Sequence, residues 1–358
     1  MTILTLGIAE VVSTWWIEHQ GDALQRARRI MILDTERGWR HASNLNTTFE
    51  KKTLSTDRLG FRLAGPPVDA PTILVLGPSS AFGWGVEANE SWPALLEARM
   101  SHQGERVFNA SQVGYTIVQG RRLYESMDKN FLTSLRTVLL AYGVNEVDRF
   151  RFFGRDPSSD DEYFARPLPI STRERFFNSF AFGALLWRAG QEASLLTGCG
   201  FKQTPSLRLS PKKFDLFLRD WAEKLRQEGK RVVLVNSAEE MPFAPDERRA
   251  NLSDRQFTES ESRSQAGDCT ESRRLFKEAR QNEPWRVLRD IGRINNVMSK
   301  VGRELSLPVA DIATVLVSTR KGELFVDPIH PSAAGHRFAA DRIEQTLSMK
   351  GTNADSTH

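Results

Sequence analysis

Cysteine is scarce: Cys199 and Cys269 are the only two in 358 residues. One pair cannot build a disulfide scaffold or a cysteine-based zinc site, and it permits a reducing compartment. No run of 18 apolar residues occurs, so no integral membrane span is expected. The opening stretch MTILTLGIAEVVSTWW lacks a cationic start, is interrupted by Glu10, and leads into no clean small-residue cleavage site. It reads as an amphipathic helix rather than a signal peptide, and a cytoplasmic location is expected. A dominant charge is missing too. Lys and Arg number 49 against 45 Asp and Glu, a net charge of +4. The densest basic spots are Arg26, Arg28 and Arg29, then Arg149, Arg151 and Arg155. Both are too short for the stripe that nucleic acid requires, so no nucleic-acid partner is expected. The six histidines show no metal-ligand spacing. Gly83-x-Gly85 lacks the third glycine and the later acid of a dinucleotide fingerprint. No metal and no cofactor are expected.

What remains is an ordinary globular composition, 40% apolar and 26% charged. Five short apolar runs read as buried strands: 72–77, 106–110, 137–142, 231–236 and, more weakly, 307–311. Several are continuously apolar rather than alternating, as strands covered on both faces are. Helical spacing separates them, over 91–102 with Ser91 as the cap, 118–129, from Ser210-Pro211 through Leu225, 285–305 and 332–347. In the third of these, Phe214, Leu218, Trp221 and Leu225 form one stripe. Alternating strands and helices predict an α/β fold, a three-layer α/β/α sandwich on a mainly parallel five-stranded sheet. Such sheets bind ligands at the carboxyl ends of their strands.

Two stretches break the alternation. Residues 1–59 precede the sheet, carry polar, turn-like sequence around Asp34 to Asn46, and read as a helical or irregular appendage to a main domain over 60–350. Residues 242–283 are polar and poor in large apolar groups, and read as a disordered insertion or lid. Residues 147–205 read as a helical cap packed by Phe176, Phe177, Phe180, Phe182 and Trp187, and 351–358 as a disordered tail.

Candidate chemistry falls at the strand ends. After the first strand comes Gly77-Pro78-Ser79-Ser80-Ala81-Phe82-Gly83-Trp84-Gly85. A serine there stands at the active edge, and the glycines let backbone approach a ligand closely. It is not the G-x-S-x-G elbow, because position 81 is alanine. After the second strand comes Asn109-Ala-Ser-Gln-Val-Gly114-Tyr115, and after the third Gly143-Val-Asn145-Glu146. Near the C-terminus comes Asp327-Pro-Ile-His330, in which one turn brings a carboxylate to an imidazole that it can orient as a base. His336, six residues on, reads as a helix-packing or surface histidine.

In this order, the four blocks resemble those of the SGNH (GDSL-type) esterase and lipase superfamily, over roughly residues 60–347. The resemblance implies a flavodoxin-like sheet and a serine ester hydrolase. It makes Ser79 the nucleophile, with Gly77 and Gly83 favouring it over Ser80; His330 becomes the base, oriented by Asp327. The Ser79 and Gly114 backbone N–H groups and the Asn145 amide become the oxyanion hole. The implied substrate is a small-molecule or carbohydrate ester, such as an O-acetyl group. Trp84, Tyr115 and Glu146 are candidate substrate-binding residues, with loop packing as the alternative for Trp84 and Tyr115. The segment 34–39 with Gly60-Phe61-Arg62 is similar to a preface in some bacterial members.

Two positions depart from the family pattern. Proline stands at 78 where the family has aspartate, and Glu146 where it has aspartate. Pro78 removes a side-chain acceptor and a backbone donor. It motivates a rival reading, a binding protein that keeps the fold without turnover. A second rival, acyl transfer to an alcohol or amine, uses the same triad. A flavodoxin-like nucleotide binder fits the sheet but leaves Asn145, Asp327 and His330 without a role.

Overall fold

A computed structural model describes residues 2–20, 23–65, 70–148, 158–186, 189, 207–239, 247–282, 286–318 and 323–349. The expected tail over 351–358, most of the cap after residue 186, and Trp187, Arg149, Arg151 and Arg155 lie outside them. The chain divides into two units, one of 1–42, 148–208 and 243–289, the other of 43–147, 209–242 and 290–358. The expected appendage is therefore split, with 43–59 folding in the second unit.

The first unit holds helix Thr2–Gln20 and an antiparallel hairpin of β1 (Met31–Asp34) and β2 (Gly38–His41). The turn-like sequence around Asp34 is thus a hairpin turn, in which Asp34 accepts the N–H groups of Glu36 and Arg37. Trp39 is fully buried under the Arg208 guanidinium, which is paired at 2.8 Å with the equally buried Asp160. Phe176 of the cap is 61% exposed, yet its ring meets those of Phe177 and Phe180 edge-on, at 5.7 and 5.2 Å. Residues 247–282 form a helical hairpin, Glu247–Gln265 and Cys269–Asn282, rather than a disordered insertion. Its seam is serine: Ser260 and Ser272 each donate a hydroxyl to the other's carbonyl, and Ser253 donates to that of Ala279. Phe257, Leu275 and Ala279 are buried beside these serines, and Phe257 meets Phe276 edge-on at 5.4 Å, so the large apolar groups are too few to show as a stripe in the sequence.

The second unit opens with an antiparallel pair, β3 (Asn46–Phe49) and β4 (Lys52–Ser55). A five-stranded, all-parallel sheet follows: β5 (Ile73–Leu76), β6 (Val107–Asn109), β7 (Thr137–Leu140), β8 (Arg231–Val235) and β9 (Val309–Ala310). The strand order is β6-β5-β7-β8-β9, the flavodoxin-like arrangement, and the architecture is a three-layer α/β/α sandwich. All four residues of β5 and of β7 are buried, because helices cover both faces. Ile73, Val75, Leu139 and Val233 share one core with helices Trp92–Met100 and Ala333–Ser348. Helices Ile117–Glu125 and Pro211–Gln227 pack together, Tyr124 edge-on to Trp221. A short hairpin of β10 (Phe325–Asp327) and β11 (His330–Pro331) precedes the last helix.

Gly120 shows how tight the helix-to-sheet layer is. A Cβ there would lie 1.8 Å from the hydroxyl of the buried Tyr142. Gly120→Ala is expected to destabilise the protein by about 1–3 kcal/mol, against the roughly 1 kcal/mol that alanine gains in a helix. A denaturation midpoint at or above wild type would refute this.

Candidate active site

The neighbouring strands β5, β6 and β7 end at one edge, which brings three loops together. The loop after β5 turns at Gly77, where a Cβ would lie 2.8 Å from Ala81 Cβ and 3.1 Å from the Ala141 carbonyl. Pro78 stands at the N-cap of the short helix Ser79–Phe82, and its carbonyl accepts the N–H groups of Ala81 and Phe82. Proline offers the helix start no side-chain acceptor, and no side-chain cap bond is made there.

Ser79 is thereby the first residue of the helix. Its Oγ lies 2.7 Å from His330 Nε2, and His330 Nδ1 lies 2.6 Å from Asp327 Oδ2. Asp327 Oδ1 accepts the N–H groups of Ile329 and His330, both at 3.0 Å. Burial opposes ionisation of Asp327, but the bond to His330, its charge and the two N–H groups outweigh burial and hold the carboxyl below its ordinary value. An ionised carboxylate only accepts, so His330 Nδ1 is the donor and Nε2 is left to accept the Ser79 proton. Ser79 and His330 are 6% and 8% exposed. The three residues thus form one hydrogen-bonded relay.

The loops after β6 and β7 are cross-tied to each other. Asn145 Nδ2 donates to the Tyr115 carbonyl at 2.9 Å. Glu146 is fully buried and accepts the N–H of Ile117 at 2.7 Å and of Gly143 at 2.9 Å. Its carboxylate spans the two loops and faces no solvent from which a substrate could come. The loop after β6 is also tied to that after β5, through Gln112 N–H to the Gly77 carbonyl and Asn109 Nδ2 to the Ala81 carbonyl. Gly114 is in the left-handed region at φ +79°, which favours glycine.

Two further substrate-binding candidates are also buried. Tyr115 is wholly buried. Trp84 is 7% exposed and lies flat on the His330 ring, with centroids 5.0 Å apart and planes 13° from parallel. Phe49 meets the indole edge-on at 4.8 Å. Glycines flanking a tryptophan, Gly83 and Gly85, were the only signal in the sequence for such a presented ring. His336 is a packing histidine, as expected, with an added role: its Nδ1 accepts the N–H of Trp92, 3.1 Å away, at a helix start. Ser91 does not cap that helix with its side chain; its hydroxyl donates to the Ala88 carbonyl.

Among the described residues, no three of His, Cys, Asp and Glu converge as a metal site, and no helix is long and apolar enough to cross a membrane. No protein-family profile and no curated protein matches the chain. Solved structures do. They include esterases and a G-D-S-L-family lipolytic protein. TesA is 18% identical, with a TM-score of 0.41, over 77% of this chain and 98% of that one. A catalytic mutant of Axe2, an acetylxylan esterase from Geobacillus stearothermophilus, is 12% identical, with a TM-score of 0.42, over 79% and 97%. The putative lipolytic protein of the G-D-S-L family from Desulfitobacterium hafniense is 14% identical, with a TM-score of 0.38, over 77% and 99%. At these scores the likeness carries no argument about this chain.

Proposed function

We propose that this chain is a serine ester hydrolase acting through an acyl-Ser79 intermediate. The relay from Ser79 Oγ to His330 Nε2 at 2.7 Å, and from Nδ1 to Asp327 at 2.6 Å, carries the reading. A serine hydroxyl is a poor nucleophile until a neighbouring base takes its proton. His330 Nε2 takes it as Oγ attacks the acyl carbonyl. The oxygen then gains charge within reach of preoriented donors, for which the Ser79 and Gly114 N–H groups and the Asn145 amide are the candidates. Collapse breaks the bond to the alcohol oxygen, which leaves with the proton from Nε2. Water attacks the acyl-enzyme, gives its proton to Nε2, and the carboxylic acid departs as Ser79 Oγ recovers that proton. The low exposure of Ser79 favours a small acyl group, such as an O-acetyl group on a carbohydrate.

A fluorophosphonate probe tests this directly, beside hydrolysis of p-nitrophenyl acetate. Wild type is expected to label and hydrolyse; Ser79→Ala is expected to do neither. No labelling of correctly folded wild type would instead favour a protein that binds without turnover.

A further inference from the structure

The turn that follows the nucleophile is fastened on both sides. On its donor side, the N–H groups of Gly83 and Trp84 both reach the carbonyl of Ser79 itself, at 3.0 and 3.1 Å. On its acceptor side, one guanidinium gathers the carbonyls. Arg62 Nη1 donates to those of Phe82, at 3.2 Å, and Gly83, while Nη2 donates to that of Val86 at 2.7 Å and to that of Thr53 at 3.5 Å. The same group stacks over the Phe82 ring at 5.0 Å. Among the described residues no carboxylate stands within ion-pair distance of it, though the charges of Glu87 and Glu90 reach it. Burial pulls its pKa down to about 10 against those two charges. A cation desolvated chiefly against carbonyls is costly; the two Nη groups reach four carbonyls, which an ammonium would not, while the buried Nε has no partner among the described residues.

The turn needs such a clamp because of its shape. Gly83 and Gly85 are both left-handed, at φ +91° and +76°. A Cβ on Gly83 would lie 2.9 Å from Arg62 Nη1 and 2.7 Å from Ser91 Cβ. Two such glycines leave the unfastened turn free to wander. Trp84, between them, is the residue whose ring lies flat on His330. With Asp327 at one end of the imidazole and Ser79 at the other, only a group on its face stops the ring from tilting.

We infer that Arg62 is a positioning residue for both members of the proton-transfer pair. Through the 82–86 turn it fixes the Ser79 backbone and the Trp84 indole, and Trp84 fixes the plane of the His330 ring. The inference rests on the esterase reading of Ser79 and His330. It differs from a purely stabilising role, which would lower the melting temperature but leave the turnover of folded molecules unchanged.

The test compares wild type, Arg62→Ala, Arg62→Lys and Trp84→Leu, with Ser79→Ala as the blank. Melting curves, p-nitrophenyl acetate kinetics and fluorophosphonate labelling rates are measured on each. A displacement near 1 Å costs about a hundredfold. Arg62→Ala is therefore expected to lose about 30- to 100-fold in both kcat and labelling rate, with KM within about threefold. Arg62→Lys keeps the charge without the fork and is expected to fall with alanine. Millimolar guanidinium, but not methylammonium, is expected to restore the alanine variant about tenfold. Trp84→Leu is expected to share the kcat loss. Folded Arg62→Ala with kcat and labelling within threefold of wild type overturns the inference. So do a loss confined to KM, full activity in Arg62→Lys, and, should Arg62→Ala not fold, unchanged kcat in Trp84→Leu. Wild type that never labels overturns the esterase reading instead, and the two failures are told apart by that sample.

Discussion

Asp327→Asn is expected to leave the fold in place and to lower kcat about 10⁴-fold. The size follows from how residue 327 is held. Its Oδ1 already accepts two backbone N–H groups, those of Ile329 and His330, while Oδ2 faces His330 Nδ1. In the asparagine variant the amide oxygen must stay with the two N–H groups, because an NH₂ there would set donor against donor. The NH₂ is then aimed at Nδ1, which has to become an acceptor. The imidazole proton moves to Nε2, the atom that must take the Ser79 proton, and the base is in the wrong tautomer.

Alanine at the same position removes the orienting charge but dictates no tautomer. Asp327→Ala is therefore expected to keep at least about tenfold more activity than Asp327→Asn, a ranking opposite to that of conservative substitution. Kinetics of both variants on p-nitrophenyl acetate decide it. An asparagine variant as active as wild type, or an alanine variant as poor as asparagine, would sink the tautomer argument. Melting curves would show whether the loss of two N–H acceptors, in alanine alone, has loosened the hairpin of β10 and β11.

The sheet was legible in the sequence because its strands are covered on both faces. β5, β7 and β8 lie within the runs read at 72–77, 137–142 and 231–236. The weak fifth run shrinks to two paired residues, Val309 and Ala310, at the sheet edge. The hairpins were not legible. β3 and β4 are joined by Glu50 and Lys51, both left-handed at φ 49° and 62°, where the usual signal is Asn-Gly or Asp-Gly. The helical hairpin over 247–282 was hidden because serine lines its seam. In the candidate site, Ser79 and the Asp327–His330 pair could be read as neighbours because each lies in one of the blocks that carry the family resemblance. Glu146 as a bridge, Trp84 as a platform and His336 as a cap could not be read, since each depends on a contact between distant parts of the chain. His336 and Trp92 are 244 positions apart.

That last contact sets an acid limb on stability. His336 is completely buried, and its Nδ1 accepts the N–H of Trp92, so the ring proton is on Nε2. Burial, followed by the nearby charges of Arg62 and His330, pulls its pKa down to about 3. The N-terminus of the Trp92–Met100 helix, to which the ring is bonded, likewise disfavours an imidazolium. Between the ordinary value near 6.5 and about 3, the unfolded chain binds this proton and the folded chain does not. Stability must then rise with pH across that window, by up to about 1.4 kcal/mol per unit, and is fully present above it. His336→Leu removes the titration. It also removes the acceptor for Trp92 N–H and the buried, unpartnered Nε2. These two effects oppose each other, so near neutrality the variant is expected within about 2 kcal/mol of wild type. Its urea midpoint is expected to fall less steeply below pH 6.5, so that the variant becomes the more stable protein near pH 4. Parallel curves for the two proteins between pH 4 and 8 would show that His336 is charged in the fold, which its complete burial against a helix N-terminus forbids.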